Sequence, residues 1–138
     1  MDDVDKLKHR VMAEIDARRA ELVRTADAIH AQPETAFKEF KSAAMLSDLL
    51  ECNGFVVERG VAGLETAFVA TVQGRSAGPT FALLAEYDAL PGLGHACGHN
   101  LIGTSAAGAG LALQAVLPKL AGAVQVIGTP AEEEGGGK

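Results

Sequence analysis

Thr80-Phe81-Ala82-Leu83-Leu84-Ala85 is a nearly all-apolar run of strand length. A run of that kind is expected of a strand buried on both faces. Residues 101–117 follow with no charged side chain and many Ala and Gly, and they read as a core helix ended by Pro118. Val124-Gln125-Val126-Ile127 is the next strand. Strand, helix and strand at these spacings make a β-α-β unit with parallel strands and a right-handed crossover. Ligands of such sheets bind outside the carboxyl ends of the strands. Residues 87–99 and 129–134 both follow carboxyl ends, so the fold should bring them together although they are distant in sequence.

Working outward, residues 4–31 read as a helix. Val4, Leu7, Val11, Ile15, Leu22, Ala26 and Ile29 recur at helical spacing, and charged residues fill the other face. A second helix is predicted over 34–52, with Phe37, Phe40, Ala43, Leu46 and Leu50 on one side. Asn53-Gly54 is its stop. Phe55-Val56-Val57 and Ala67-Phe68-Val69-Ala70-Thr71-Val72 are strand candidates. Gly74-Arg75-Ser76-Ala77-Gly78-Pro79 is a turn, which predicts a hairpin between 66–73 and 80–86. Each glycine inside the 101–117 helix costs about 1 kcal/mol relative to Ala, and close backbone packing is the expected compensation.

The 138 residues suffice for one domain with a real core, and 48% are hydrophobic. The net charge of −6, one Tyr and no Trp exclude a basic nucleic-acid footprint and a base-stacking platform. Two cysteines do not make a disulfide framework. Met1-Asp2-Asp3-Val4-Asp5 is acidic and carries no apolar leader. Residues 101–117 fall short of the ~20 apolar residues of a spanning helix and contain Thr104, Ser105 and Gln114, so no membrane association is expected. A reducing, cytoplasmic setting follows, and it suits a free thiolate.

The first loop carries His95-Ala96-Cys97-Gly98-His99 and the second carries Glu132-Glu133-Glu134. Thiolate, imidazole and carboxylate are the side chains that bind divalent transition metals. In an extended segment Cys97 and His99 would face one side and reach one ion. His95 is in phase with them, as a ligand or as support for one. The alternative is a loop with a buried thiol and a surface imidazole. Adjacent carboxylates repel, and several in one cleft are unfavourable without a cation. Their alternative is a solvated acidic turn. Neighbouring carboxylates can also divide labour, one on the metal and one moving a proton.

Glu86-Tyr87-Asp88-Ala89-Leu90-Pro91-Gly92-Leu93-Gly94-His95-Ala96-Cys97-Gly98-His99-Asn100 resembles the metal-binding segment of the aminoacylase/carboxypeptidase-type metallopeptidases. The likeness is to their amidohydrolase branch, with hippurate hydrolase, p-aminobenzoyl-glutamate hydrolase and dipeptidases acting on β-alanyl-lysine-type substrates. Gly128-Thr129-Pro130-Ala131-Glu132-Glu133 resembles the second motif of that branch, and Ile29-His30-Ala31-Gln32-Pro33-Glu34 its N-terminal helix junction. The resemblance implies a three-layer α/β fold, with helices on both sides of a mixed sheet. Residues 1–138 would be the N-terminal part of the catalytic domain. It implies Cys97, His99 and Glu133 as metal ligands, Glu132 as general acid/base, and two divalent ions. Zn²⁺ suits the thiolate–imidazole pair, while the carboxylates admit Mn²⁺. Asp88 is expected to orient an imidazole such as His99, with a turn residue before Pro91 as the alternative.

The implied activity is hydrolysis of an amide bond in N-acyl amino acids or small dipeptide-like substrates. Many relatives carry Asp where this chain has Asn100, which removes a charge beside the metals. Family members are longer and supply further His ligands and a lid domain, so the 138 residues alone are expected to be inactive. The competing reading is a truncated, non-catalytic fragment that binds one metal or serves as an interaction module. A Cys97 nucleophile paired with His99 is a third. Apolar surface left bare by a missing half-sheet would favour homo-oligomers or aggregation. Cys52 reads as a core thiol, His30 as a helix-end or cleft histidine, and Glu39 and Lys41 as surface residues. Lys138 is given no role.

Overall fold

The computed structural model describes residues 3–137; Met1, Asp2 and Lys138 of the sequence readings lie outside the described residues. The elements are helix α1 (Asp3–Ala31), helix α2 (Phe40–Cys52), strand β1 (Val56–Arg59), strand β2 (Phe68–Gln73), strand β3 (Thr80–Glu86), helix α3 (His99–Gln114) and strand β4 (Ala123–Thr129). Short 3₁₀ turns occupy Val61–Gly63 and Leu117–Lys119. The sheet order is β1-β2-β4-β3. β3 and β4 are parallel, as the β-α-β reading requires, with Ala85 opposite Gly128 and Glu86 opposite Thr129. β2 runs antiparallel to both β1 and β4, so the sheet is mixed.

The hairpin expected between 66–73 and 80–86 does not form, because β4 enters between β2 and β3. The connection instead crosses the start of β4. Gly74 N donates to the Gly122 carbonyl at 2.7 Å, and Gly122 N to the Ser76 carbonyl at 2.9 Å. A Cβ on Gly74 would stand 2.5 Å from the Leu120 carbonyl oxygen. The glycine-rich stretch thus serves backbone-to-backbone contact, not a two-strand turn.

A single core cluster gathers Ile29 of α1, Ala43, Leu46 and Leu50 of α2, and Ala106, Ala107 and Leu111 of α3. It joins them to Phe68, Ala70, Ala85 and Val126 of the sheet. Gly110 lets α3 settle on β4, since a Cβ there would meet Val126 Cγ2 at 2.6 Å. That close approach is the compensation expected for the helix glycines. Val56 and Leu84 point the other way and stand exposed. The described residues therefore supply helices to one face of the sheet. β3 pairs with β4 alone among them, so the run expected to be buried on both faces is a sheet edge with Phe81 69% exposed. No described helix is long and apolar enough to cross a membrane.

Two further expectations fail locally. α2 begins at Phe40 and not at 34. Glu34 acts as its cap from a distance: Oε1 accepts from Lys41 N at 3.0 Å, and Oε2 from Ser42 N at 2.8 Å. Those are otherwise orphaned first-turn amides. Phe37 and Phe40 consequently lie off the core face and are exposed. Cys52 is exposed too. It sits about 200° around the helix from buried Leu50, which turns it away from the core.

Candidate metal centre

β3 ends at Glu86 and β4 at Thr129, side by side, and the loops that follow carry the candidate groups. Cys97 lies in a turn and His99 is the first residue of α3, after Gly98 with φ of 81°. The extended Cys-Gly-His geometry expected from sequence is therefore replaced by a turn closed by a helix start. Gly103, one turn further, lies so close to Glu86 that a Cβ would stand 2.7 Å from its carbonyl oxygen. α3 and the end of β3 are thereby locked together.

His99 is buried, and its two nitrogens face different groups. Nδ1 lies 2.9 Å from the Asp88 carbonyl oxygen, which takes the hydrogen bond, and 3.1 Å from Asp88 Oδ1. Oδ1 lacks hydrogen-bond geometry and makes a close electrostatic contact. Donation from Nδ1 leaves the lone pair on Nε2. Nε2 faces carboxylate oxygens of Glu86 at 3.6 Å, Glu133 at 3.7 Å and Glu132 at 3.8 Å. Ligand atoms of Glu86, His99 and Glu132 all lie within 4.8 Å of one another. Asp88 Oδ2 accepts from Glu133 N at 3.1 Å, so one buried carboxylate ties both loops together.

Cys97 joins the same locus. Its thiol pKa is raised above the ordinary value, first by a hydrogen bond to Glu133, then by desolvation and by the charges of Glu133, Glu132 and Asp88. The Cys97 thiol thus lies beside the Glu133 carboxylate. The remaining two candidates face elsewhere. Asn100 is buried and donates from Nδ2 to the Ala26 carbonyl at 3.3 Å, which pins α3 to α1. His95 is buried with its ring centroid 6.2 Å from that of His30. Burial first, then the His30 and His99 charges, push its pKa down, against weaker pulls from the Ile29 backbone and Asp88.

Sequence reasoning assigned Glu86 no role, and geometry adds it to the cluster. A carboxylate as the last residue of an apolar strand that leads into the donor loop was the available signal. Glu39 was misread as a surface group. It is fully buried, and its carboxylate accepts from Phe37 N, Thr66 Oγ1 and Ala131 N at 3.0, 3.0 and 2.9 Å. Beneath it Tyr87 is buried and hydrogen-bonds the Thr66 carbonyl. Its phenol pKa is pushed up by burial, then by the charges of Glu39 and Asp88.

The donor set fits a divalent cation. A lone pair and three carboxylates aimed at one locus repel unless a positive charge is shared. Tetrahedral ligands about 2.0–2.1 Å from zinc lie about 3.4 Å apart, close to the spacing around Nε2.

A mixed α/β sheet whose strand ends gather a thiol, an imidazole and several carboxylates has the layout of a metallohydrolase domain. No protein-family model matches the chain. It is 42% identical to one of the subunits of the p-aminobenzoyl-glutamate hydrolase of Escherichia coli, over 90% of this chain and 29% of that protein. It is 41% identical to the Xaa-Arg dipeptidase of Mus musculus, over 99% of this chain and 34% of that protein. Its fold is similar to the crystal structure of a dinuclear metal-binding peptidase of the M20 family from Bacillus subtilis. That match has a TM-score of 0.77 and 29% identity, over 84% of this chain and 36% of that one. The chain belongs to the aminoacylase/carboxypeptidase-type metallopeptidase family, in its amidohydrolase branch. It spans about a third of the length of the curated relatives it matches.

Proposed function

We propose that this chain forms the metal-binding part of a catalytic domain that hydrolyses an amide bond in N-acyl amino acids or small dipeptide-like substrates. The observation that carries the reading is the convergence of Glu86, Glu132 and Glu133 carboxylate oxygens on His99 Nε2, with the Cys97 thiol beside Glu133. Cys97, His99 and Glu133 are the assigned ligands, with Glu86 as a further carboxylate at the locus. A divalent ion held there, Zn²⁺ or Mn²⁺, supplies Lewis-acid polarisation of the scissile carbonyl and an acidified water. Glu132 takes the proton of the attacking water and passes it to the leaving amine. Asp88 fixes the imidazole tautomer and holds the Glu133 backbone. Relatives named for p-aminobenzoyl-glutamate and for Xaa-Arg dipeptides support a substrate with a free carboxylate. A pair of ions, as in the dinuclear peptidase relative, is the arrangement proposed for the intact enzyme.

The test is metal content and turnover together. Chelator should abolish amide hydrolysis by the intact enzyme, and Zn²⁺ or Mn²⁺ should restore it. Glu132→Gln should keep the metal and lose turnover; equal loss of metal would exchange the roles of Glu132 and Glu133. Activity that survives chelator but not thiol alkylation would sink the metal reading in favour of a Cys97 nucleophile. The raised thiol pKa argues against that nucleophile. One further observation favours a second reading. His95 turns toward His30, so among the described residues a single imidazole stands at the locus. One ion per chain without turnover would make these residues a one-metal, non-catalytic module.

A further inference from the structure

Glu39 immediately precedes α2 and is completely buried, yet no step proposed above uses it. Its Oε1 accepts from Phe37 N and Ala131 N, and its Oε2 from Thr66 Oγ1. Both amide donors belong to residues with positive φ, 60° at Phe37 and 55° at Ala131. Neither is a glycine, and L side chains seldom adopt that conformation unless their surroundings impose it. Ala131 directly precedes Glu132. Its own carbonyl closes the turn behind it, accepting from Gly135 N at 3.0 Å and Gly136 N at 2.7 Å. Phe37 packs on the same turn, so that a Cβ on Gly135 would meet its ring at 2.8 Å. The α1–α2 junction also grips the other loop, because the Glu34 carbonyl accepts from Ala89 N at 2.8 Å, next to Asp88.

We propose that Glu39 is a positioning residue: its buried carboxylate holds Ala131 in the left-handed conformation and so aims Glu132 and Glu133 at the cation locus. A core serving stability alone gains little from a buried carboxylate, since burial of the charge must be offset by every bond it accepts. Here two of the three bonds hold strained backbone, and one of those residues leads into the acidic turn. The junction of residues 32–39 thereby sets the separation of both donor loops from behind. This inference rests on the metal reading of the site.

The test uses the 138-residue chain, with Co²⁺ as the metal probe. Three variants separate positioning from stability. Glu39→Ala leaves the Ala131 amide without an acceptor. Thr66→Val removes one bond to Glu39 and leaves Ala131 held. Glu39→Gln can keep both amide bonds through its oxygen while its NH₂ donates to Thr66 Oγ1. Hydrogen exchange at the Ala131 amide is read in metal-free protein, and Co²⁺ affinity from its visible absorption. Glu39→Ala is expected to speed Ala131 exchange and weaken Co²⁺ about 10- to 100-fold, with an altered spectrum. Thr66→Val should lower the melting temperature while keeping the Co²⁺ affinity, and Glu39→Gln should restore both readouts. If Glu39→Ala does not fold, Glu39→Asp takes its place, with the same expectation from a side chain too short to reach both amides. The idea is overturned if Co²⁺ binds wild type and Glu39→Ala alike, or if Thr66→Val weakens it as much. A wild-type chain that binds no Co²⁺ would defeat the metal reading instead. Ala131 exchange no faster in Glu39→Ala than in Thr66→Val would then still refute the positioning role.

Discussion

Replacing Asp88 by Asn isolates what one buried carboxylate does for the metal centre. Asp88 is 1% exposed and faces two donors. Oδ2 accepts from Glu133 N at 3.1 Å, and Oδ1 stands 3.1 Å from His99 Nδ1. Asn presents one oxygen and one NH₂ in nearly the same volume. With the oxygen toward Glu133 N, the NH₂ opposes the His99 Nδ1–H; turned over, it opposes the Glu133 amide. Either way a donor meets a donor in a buried place. A lost hydrogen bond to a charged group is worth about 1.5–3 kcal/mol. At 1.4 kcal/mol per decade, that is about 10- to 150-fold in metal affinity. Metal-free stability should respond less, because the substitution also removes one negative charge from beside Glu86, Glu132 and Glu133. A net change under about 1 kcal/mol corresponds to about 4 °C in melting temperature for a chain of this size. Competition titration against a chelator gives the affinity, and thermal unfolding in excess chelator gives the stability. Unchanged affinity would refute the argument. So would a loss of affinity fully matched by destabilisation of the metal-free protein.

Three other outcomes are expected. Gly103→Ala puts a Cβ 2.7 Å from the Glu86 carbonyl oxygen, so overpacking should cost about 1–3 kcal/mol in denaturant unfolding and weaken metal binding as Glu86 shifts. Cys97 must lose its proton to ligate, and its carboxylate neighbours hold its pKa above the ordinary value. Metal affinity should therefore rise about tenfold per pH unit from neutral pH up to the raised pKa, and that one-proton slope should vanish in Cys97→Ser. The raised folded-state pKa also means that this group's contribution to metal-free stability is present below its ordinary pKa and fades as pH rises through the raised one. Finally, Phe81→Glu with Leu84→Lys should suppress concentration-dependent self-association in sedimentation velocity, since both side chains stand exposed on an edge strand.

The parallel β3–α3–β4 unit was legible because an apolar strand, a charge-free helix and a second apolar strand leave few alternatives. The place of β2 was not. A glycine-rich connector of six residues suits a hairpin equally well, and only the contacts of Gly74 and Gly122 with the start of β4 decide against it. The exposure of β3 was hidden for a related reason. An all-apolar strand carries no mark of whether a neighbour covers it. The start of α2 was misplaced because its cap is a glutamate six residues upstream, a tie that spacing rules do not anticipate.

At the site, the sequence could name donors but not aim them. Cys97, His99 and the acidic triplet were visible as residue types at strand ends, and Glu132 and Glu133 meet at His99 with the Cys97 thiol beside Glu133. His95 has the same chemistry and two-residue phasing, yet its ring goes to His30, because the loop turns before α3 and does not extend. Four acids show where the information is missing. Glu34, Glu39 and Glu86 look like solvated charges in a chain of net charge −6, and Asp88 is legible only as support for an imidazole such as His99. In the fold, Glu34, Glu39 and Asp88 each hold backbone amides. Two of those amides, at Ala131 and Glu133, lie in the acidic loop itself. Metal donors tolerate little error in aim, whereas a surface carboxylate tolerates a great deal. The residues that confer accuracy are therefore the buried acids Glu39 and Asp88 beneath the cluster, and neither periodicity nor motif spacing distinguishes Glu39 from a solvent-facing acid.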